Sequence, residues 1–442
     1  MRKMAIQGFS LPGWVILVMG LAACEGGRTG TGENSGTAAC DPSTTPIVFA
    51  HGVLEVGDAF ANQSMRFAAN GYCQERIFAF DWNTVSFTGM EGEMARLGEF
   101  IDRVLAETGA EQVELIGHSA GTFLSQSYLE ADPAHAARVA HYACLAGLGA
   151  DHLPGGVPSI AISSEDDFIA GASRIEGGEN VFIDGLDHLE VTTSAETFRH
   201  LYRFFHDGKE PGTLEREPTA EVTCSGRVLT FAENQAAPGA QMRIFPVDPL
   251  TGERLAAGPV ATFVSGPDGS WGPFRAEPGR HYEVEIRQND PYWQPIHYYR
   301  EPLPRSSNLV YFRVFPPPAS LYGFLLGLLV NQDPEAMVLA TLNINQAVID
   351  TRDSLSVGGY EISIPEVADA RKTTIAIFYT DFAGADPGTA PAFNEALVFL
   401  QGFDLEVDTS VPATVPVVFN GRPVPVRNWK SGTDGVTIAV FE

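Results

Sequence analysis

The sequence predicts an α/β fold, a parallel sheet flanked by helices, followed by an all-β region of sandwich- or barrel-like units. Three observations carry this. Apolar strand-like runs alternate with amphipathic helical patterns from residue 44 to about 210. After residue 219 the pattern switches to short β-type runs separated by Gly, Pro, Asp and Asn. Hydrophobic residues make up 44% of the 442, enough to bury real cores. Strands alternating with helices argue for right-handed βαβ units and a parallel sheet.

In chain order, "TPIVFAHG" (44–52) is an apolar strand ending in Gly, and "ANQSMRFAANGY" fits a helix stopped by Gly71. "ERIFAFDW" (75–82) is the next strand. "GEMARLGEFIDRVLAETGA" places Met94, Leu97, Phe100, Ile101, Val104 and Leu105 on one helical face, and Gly109 stops it. "QVELIG" (112–117) is a strand, and "AGTFLSQSYLEADP" is a helix ended by Pro133. "HYACLAGLG", "PSIAISSEDD" and "ENVFIDGLDH" are three further strands, and "AETFRHLYRFFHDG" closes the α/β part, 44–210.

Beyond "DGKEPGTLEREP" the runs "RVLTFAE", "AQMRIFPVD", "HYEVEIRQ", "IHYYRE" and "LVYFRVF" suggest one β domain over 220–315. "FPPPA" (315–319) suggests a second boundary, with another β domain over 319–442 that binds lipid or substrate. "SLYGFLLGLLV" (320–330) is too short to cross a bilayer. It reads either as a core element or as a wall that contacts acyl chains or lipid.

Residues 1–23 read as an export signal. Arg2 and Lys3 supply the positive end, and Leu11–Ala23 supplies a short apolar stretch. Leu21-Ala22-Ala23-Cys24 resembles a bacterial lipobox, which implies lipidation of Cys24. The Gly/Thr/Ser-rich segment up to residue 43 then suits a flexible tether. Glu25 stands where an inner-membrane retention signal has Asp, so the resemblance implies an outer-membrane or cell-surface lipoprotein, with a secreted chain as the alternative. Disulfides persist in such compartments. Cys40 precedes the first strand and Cys73 follows the first helix, so Cys40–Cys73 is the candidate pairing, which sequence alone does not settle. Cys144 reads as buried and inert. No Cys/His spacing makes a zinc site. The net charge of −27 leaves nothing to neutralise phosphates, which makes nucleic acid a poor partner.

The chemistry centres on "VELIGHSAGTF". A bare Gly-x-Ser-x-Gly decides nothing, but Gly117-His118-Ser119-Ala120-Gly121 lies between a strand and a helix, the context a nucleophile elbow requires. The glycines let neighbouring elements approach a strained Ser. The elbow also puts the Ala120 N–H at a helix N-terminus, where it can bind a developing oxyanion. His51-Gly52 ends the first strand, and the Val53 N–H is the second candidate donor. His51 itself reads as loop-shaping. His188, after the last apolar strand, is the candidate base. Asp166, followed by x-x-Ile, is the candidate acid, with Asp167 and then Asp151 as rivals.

Residues 44–207, through HG, GHSAG, the late acid and the late His in that order, resemble an α/β-hydrolase of the bacterial lipase type. "MRFAANGY", "GHSAGTF", "ARVAHY" and the β tail are similar to archaeal carboxylesterase/lipases. The resemblance implies a two-step acyl transfer on lipid or acyl esters without metal or cofactor, and a β region that helps bind lipid. Two departures stand out. Where that group carries its acid, this chain has Ala146, so either the acid comes from Asp166 or Asp167 or the triad is incomplete. The short "NTVSFTGME" can shape a pocket rim but hardly cover it, which implies weak or no interfacial activation and a preference that stops at short or medium acyl chains unless the β tail completes the site. Two rival readings are a surface-anchored binding protein on a non-catalytic hydrolase scaffold and a polyester hydrolase. The latter would hold polymer on the aromatics of "HYEVEIRQNDPYWQPIHYYRE".

Overall fold

Strands covered on both faces need no polar alternation, and the short apolar runs of the first half behave accordingly. The computed structural model describes residues 40–442 apart from 87–88, 331–333 and 383–385. The export signal and Cys24 lie outside the described residues, as does all of the tether before Cys40. The first sheet contains β1 (Ile47–Ala50), β2 (Ile77–Phe80), β3 (Val113–His118), β4 (Val139–Leu145), β5 (Ser159–Ser163) and β6 (Glu179–Phe182). Their order is β2-β1-β3-β4-β5-β6, and every neighbouring pair is parallel.

Helices α1 (Ala61–Ala69), α2 (Met90–Thr108), α3 (Ala120–Ala131), α4 (Pro133–Ala136), α5 (Glu190–Thr193) and α6 (Ala195–Phe205) accompany it. Alternate side chains of each strand feed two cores. Ile47, Phe49 and Ile116 pack with Phe67 of α1 and with Phe198 and Leu201 of α6. Val48, Val113 and Leu115 pack with Leu97, Ile101 and Val104 of α2 and with Leu124 and Tyr128 of α3. Gly109 closes α2 at φ 67, a left-handed C-cap that favours Gly. This is a six-stranded parallel sheet covered by helices, and its strand ends define where chemistry can sit.

The rest of the chain is β-rich. Its first strands are β7 (Val222–Thr230), β8 (Gln241–Pro246), β9 (Ala261–Val264), β10 (Ser270–Ala276), β11 (Tyr282–Arg287), β12 (Ile296–Arg300) and β13 (Phe312–Val314). After α7 (Leu321–Val330) come β14 (Leu339–Asn343), β15 (Leu355–Val357), β16 (Tyr360–Glu361), β17 (Ala376–Thr380) and β18 (Leu400–Asp404). The last are β19 (Thr414–Val415), β20 (Val417–Phe419), β21 (Arg422–Pro423), β22 (Val426–Arg427) and β23 (Val436–Phe441).

The expected boundary at 315–319 does not divide the sheets. One eight-stranded sheet, β18-β17-β14-β23-β12-β11-β8-β9, takes strands from both sides of it. The final strand β23 joins the halves, pairing in parallel with β12 and with β14. A three-stranded sheet, β10-β7-β13, and a four-stranded one, β16-β15-β20-β21, complete the main layers.

The β region shares a core with the first sheet, since Leu229, Leu309 and Tyr311 pack with Phe49, Phe60 and Ala79. Two ion pairs cross the same junction. Arg313 holds Asp58 through a two-bond fork at 2.9 and 3.0 Å, and Arg227 holds Asp81 at 2.9 Å. Buried charges of this kind persist only when paired. The aromatics considered above for polymer are mostly core. Trp293, Tyr298 and Tyr299 are buried, while Tyr292 is exposed. The apolar α7 is a helix whose Leu326 is buried while Leu321, Phe324, Leu325 and Leu328 face solvent. Among the described residues no helix is long and apolar enough to cross a membrane.

Candidate active site

Ser119 stands where β3 ends and α3 begins, at φ 50 and ψ −120. Such a backbone is strained for a residue with a Cβ and persists only when its surroundings fix it. Here the Ser119 N–H donates to the Leu145 carbonyl at 3.0 Å, and the Ser119 carbonyl accepts from the Thr122 N–H at 3.0 Å. The Thr122 hydroxyl adds a bond to the same carbonyl at 2.6 Å. The two motif glycines are required by close approach. A Cβ on Gly121 would lie 2.0 Å from the Ala50 carbonyl oxygen, and one on Gly117 would lie 2.8 Å from the Gly121 oxygen. Ala120 is the first residue of α3, whose opening N–H groups have no intrahelical partners. Gly52 abuts the elbow, since a Cβ there would lie 2.9 Å from the Ser119 Cβ. Val53, the next residue, is partly exposed beside it.

His188 lies in the loop after β6 and is buried. Its Nδ1 is 2.8 Å from Oδ2 of Asp167. The expected acid, Asp166, is not the partner. It is exposed, and its Oδ2 accepts the Gly185 N–H at 2.7 Å. Adjacent residues on this loop point in opposite directions, and the loop is wound by Asp167 itself, whose Oδ1 accepts the N–H groups of Ile169 (2.8 Å) and Ala170 (3.1 Å). Burial pushes the Asp167 pKa up. The hydrogen bond and charge of His188, with those two amides, outweigh burial and hold it below the ordinary carboxylate value. The other rival, Asp151, is exposed and bonds the neighbouring His152 at 2.6 Å.

His118, the first variable residue of the motif, joins the parts. Its Nε2 is 3.0 Å from the His188 carbonyl, so it donates there, and its Nδ1 is 2.8 Å from Oε2 of Glu55. The same Glu55 oxygen accepts the Gly52 N–H at 2.6 Å. One buried carboxylate thus braces both the Gly52 turn and the histidine beside Ser119. Burial works against the Glu55 charge, but the charge and hydrogen bond of His118 prevail and lower its pKa to about 2. Burial likewise opposes charge on His118, and Glu55 prevails there, raising its pKa above the ordinary value.

His51 is buried and its pKa is lowered by desolvation. Its Nδ1 lies 2.9 Å from the Gly52 carbonyl, and its Nε2 accepts the Trp82 N–H at 3.3 Å. Both ring nitrogens are therefore spent on the loop, as expected of a loop-shaping residue. Sequence reasoning assigned nothing to Glu55, whose contact with His118 spans 63 residues. Phe399 was missed too. It stands at φ 70 between β17 and β18, and its ring lies 6.3 Å from that of His188.

Cys40 and Cys73 form a disulfide that ties the segment before β1 to the loop after α1. Cys144 is buried, and desolvation raises its pKa to about 12, which keeps it a thiol. Glu283, Glu285 and His297 are close enough to suggest a cation site. Arg254 already bonds both carboxylates, and Arg243 and Arg287 bond Glu285.

Residues 44–135 match the family model of class 2 lipases, and residues 220–317 match the model of the lipase C-terminal domain. Among solved structures, the chain is similar to lipase B of Aspergillus fumigatus at 13% identity, covering 40% of this chain and 56% of that one, with a TM-score of 0.32. It is similar to an esterase of Rhodococcus sp. ECU1013 at 13% identity, covering 39% of this chain and 94% of that one, with a TM-score of 0.31. A bacterial membrane phospholipase A matches at 13% identity, covering 38% of this chain and 81% of that one, with a TM-score of 0.30.

Proposed function

We propose that this chain, an α/β-hydrolase of the lipase and esterase type and a carboxylic ester hydrolase, cleaves acyl esters through Ser119, His188 and Asp167. The observation that supports this reading is the 2.8 Å contact between His188 and Asp167, in a site where Ser119 is held at φ 50 on the elbow. Asp167 fixes the tautomer that keeps the proton on Nδ1, leaving Nε2 as the base. His188 takes the Ser119 proton as the hydroxyl oxygen attacks the ester carbonyl. The Ala120 and Val53 amides receive the negative charge on the carbonyl oxygen. His188 then protonates the departing alcohol, and water repeats the cycle on the acyl-enzyme. No step calls for a metal or cofactor.

The side chains around the strand ends suit an apolar acyl group, because Val53, Phe123, Leu148, Phe168 and Ile169 are exposed there. The sequence from β2 to α2 leaves only a short stretch for a pocket rim, and we propose short or medium chains as the preferred substrates, with little interfacial activation. We also propose that the chain is exported and anchored to a membrane through a lipid on Cys24, with a secreted form as the alternative. The Cys40–Cys73 disulfide supports an oxidising compartment.

The test is hydrolysis of p-nitrophenyl esters from acetate to palmitate by the full chain beside Ser119→Ala. Cleavage by wild type and not by the variant, strongest below decanoate, is the expected result. Equal cleavage by both would remove Ser119 from the mechanism.

A further inference from the structure

The turn that carries His188 is held from the C-terminal β region, at residues beyond the stretch matched by the lipase C-terminal model. Its sequence, "DHLE" at 187–190, forms the reciprocal pattern of a capping box. Oδ1 of Asp187 accepts the N–H groups of Leu189 and Glu190, each at 2.9 Å. The Asp187 N–H donates to Oε2 of Glu190 at 3.0 Å.

This arrangement presents Asp187 Oδ2 and Glu190 Oε2 to the loop between β14 and β15. Arg352 takes both. Its Nη2 donates to Asp187 Oδ2 at 2.9 Å and its Nη1 to Glu190 Oε2 at 2.6 Å. The Ala347 N–H makes a further bond to Asp187 Oδ2 at 2.9 Å. One turn along, the Thr193 hydroxyl donates to the Asn345 carbonyl at 2.5 Å. Arg352 is itself fixed. It bonds the Ala347 carbonyl and Asp353, and Asp353 is held by the Ile349 amide and the Asn420 side chain. A continuous set of polar contacts therefore runs from the β20–β21 turn, through Asp353 and Arg352, to the residue on each side of Leu189 and His188.

We propose that Arg352 is a positioning residue of the active site, clamping both carboxylates of the Asp187–Glu190 turn so that His188 keeps its place against Asp167 and Ser119. The inference rests on His188 being the base. A base displaced by a fraction of an ångström loses much of its rate, while substrate binding elsewhere is untouched.

The experiment compares Arg352→Gln and Arg352→Lys in the full chain, measuring kcat and KM for p-nitrophenyl butyrate together with Tm. For Arg352→Gln, kcat should fall about 10- to 100-fold with KM changed less than about twofold. Arg352→Lys should give an intermediate kcat, since it restores the charge and not the fork. A folded Arg352→Gln with wild-type kcat overturns the proposal. If that variant does not fold, Arg352→Lys decides: reduced kcat at unchanged KM sustains the proposal, and wild-type kcat overturns it. His188→Ala reports separately on the base. If it stays active, the base assignment fails whatever Arg352 does.

Discussion

Replacing Asp167 by Asn should lower kcat/KM for p-nitrophenyl butyrate about 10³- to 10⁴-fold, because an amide there favours the wrong imidazole tautomer. Asp166→Asn should stay within about threefold, since its carboxylate bonds only a loop amide. Equal losses in the two variants would contradict the pairing of Asp167 with His188. These neighbours share composition, spacing and strand context, so the sequence did not separate Asp167 from Asp166 as the partner of His188. The choice is made by backbone direction in a loop wound around Asp167's own bonds to Ile169 and Ala170.

Glu55 shows the same limit, because its partner is brought to it only by the fold. Glu55→Gln should cost about 3–5 kcal/mol in urea unfolding, the penalty of stranding one member of a buried pair. The Glu55 carboxyl, lowered from 4.5 to about 2, contributes stability that is complete above pH 4.5 and lost as pH falls toward 2. His118, raised above 6.5, contributes stability that is complete below pH 6.5 and lost as pH rises through its raised value. The difference between wild type and Glu55→Gln should therefore peak between these pH values and shrink on both sides. A difference that stays flat with pH would mean that the two groups are not ionised together.

At the scale of elements, two glycines should respond in opposite senses. Gly121→Ala drives a methyl onto the Ala50 carbonyl, 2.0 Å away, which neither β1 nor α3 can relieve without moving Ser119. It should lower Tm sharply and abolish ester cleavage. Gly92, in the first turn of α2, has nothing within 4 Å of its would-be Cβ. Gly92→Ala should raise stability by about 0.5–1 kcal/mol through helix propensity alone, with activity unchanged. Thermal unfolding of both variants checks the pair, and a stable Gly121→Ala would show that β1 and α3 are not in close contact. The elements of the α/β part were legible because each buried run has a length and a stop signal, such as Gly109 after α2. The helix α7 was not, because a uniformly apolar segment carries no period from which to read a face. Only the structure separates its buried Leu326 from its exposed Leu321, Phe324, Leu325 and Leu328.

Across the whole molecule, the order of strands in the β region ties the last residues of the chain to its middle. A segment-by-segment reading split that region near residue 316, because Pro-rich sequence interrupts the β pattern there and local patterns carry no pairing information. β23 instead lies between β12 and β14 and pairs with both along its length. Its Val436 and Val440 belong to the core shared with β7 and β13, while Ala439 and Phe441 belong to the core on the opposite face. Deleting residues 436–442 would open two strand edges in the interior of one sheet and uncover both cores at once. The terminal Glu442 side chain also pairs with the buried Arg300, so the deletion would leave that guanidinium without its carboxylate. Such a chain should be insoluble and inactive, although the cut lies far in sequence from Ser119 and His188. The damage should reach the hydrolase sheet, because Leu229, Leu309 and Tyr311 sit in its core and Arg313 holds Asp58. Expression of the truncated chain, followed by soluble yield and butyrate ester cleavage, tests this. A soluble, fully active truncation would show that the α/β part folds and works independently of the β region, and that the junction contacts contribute little.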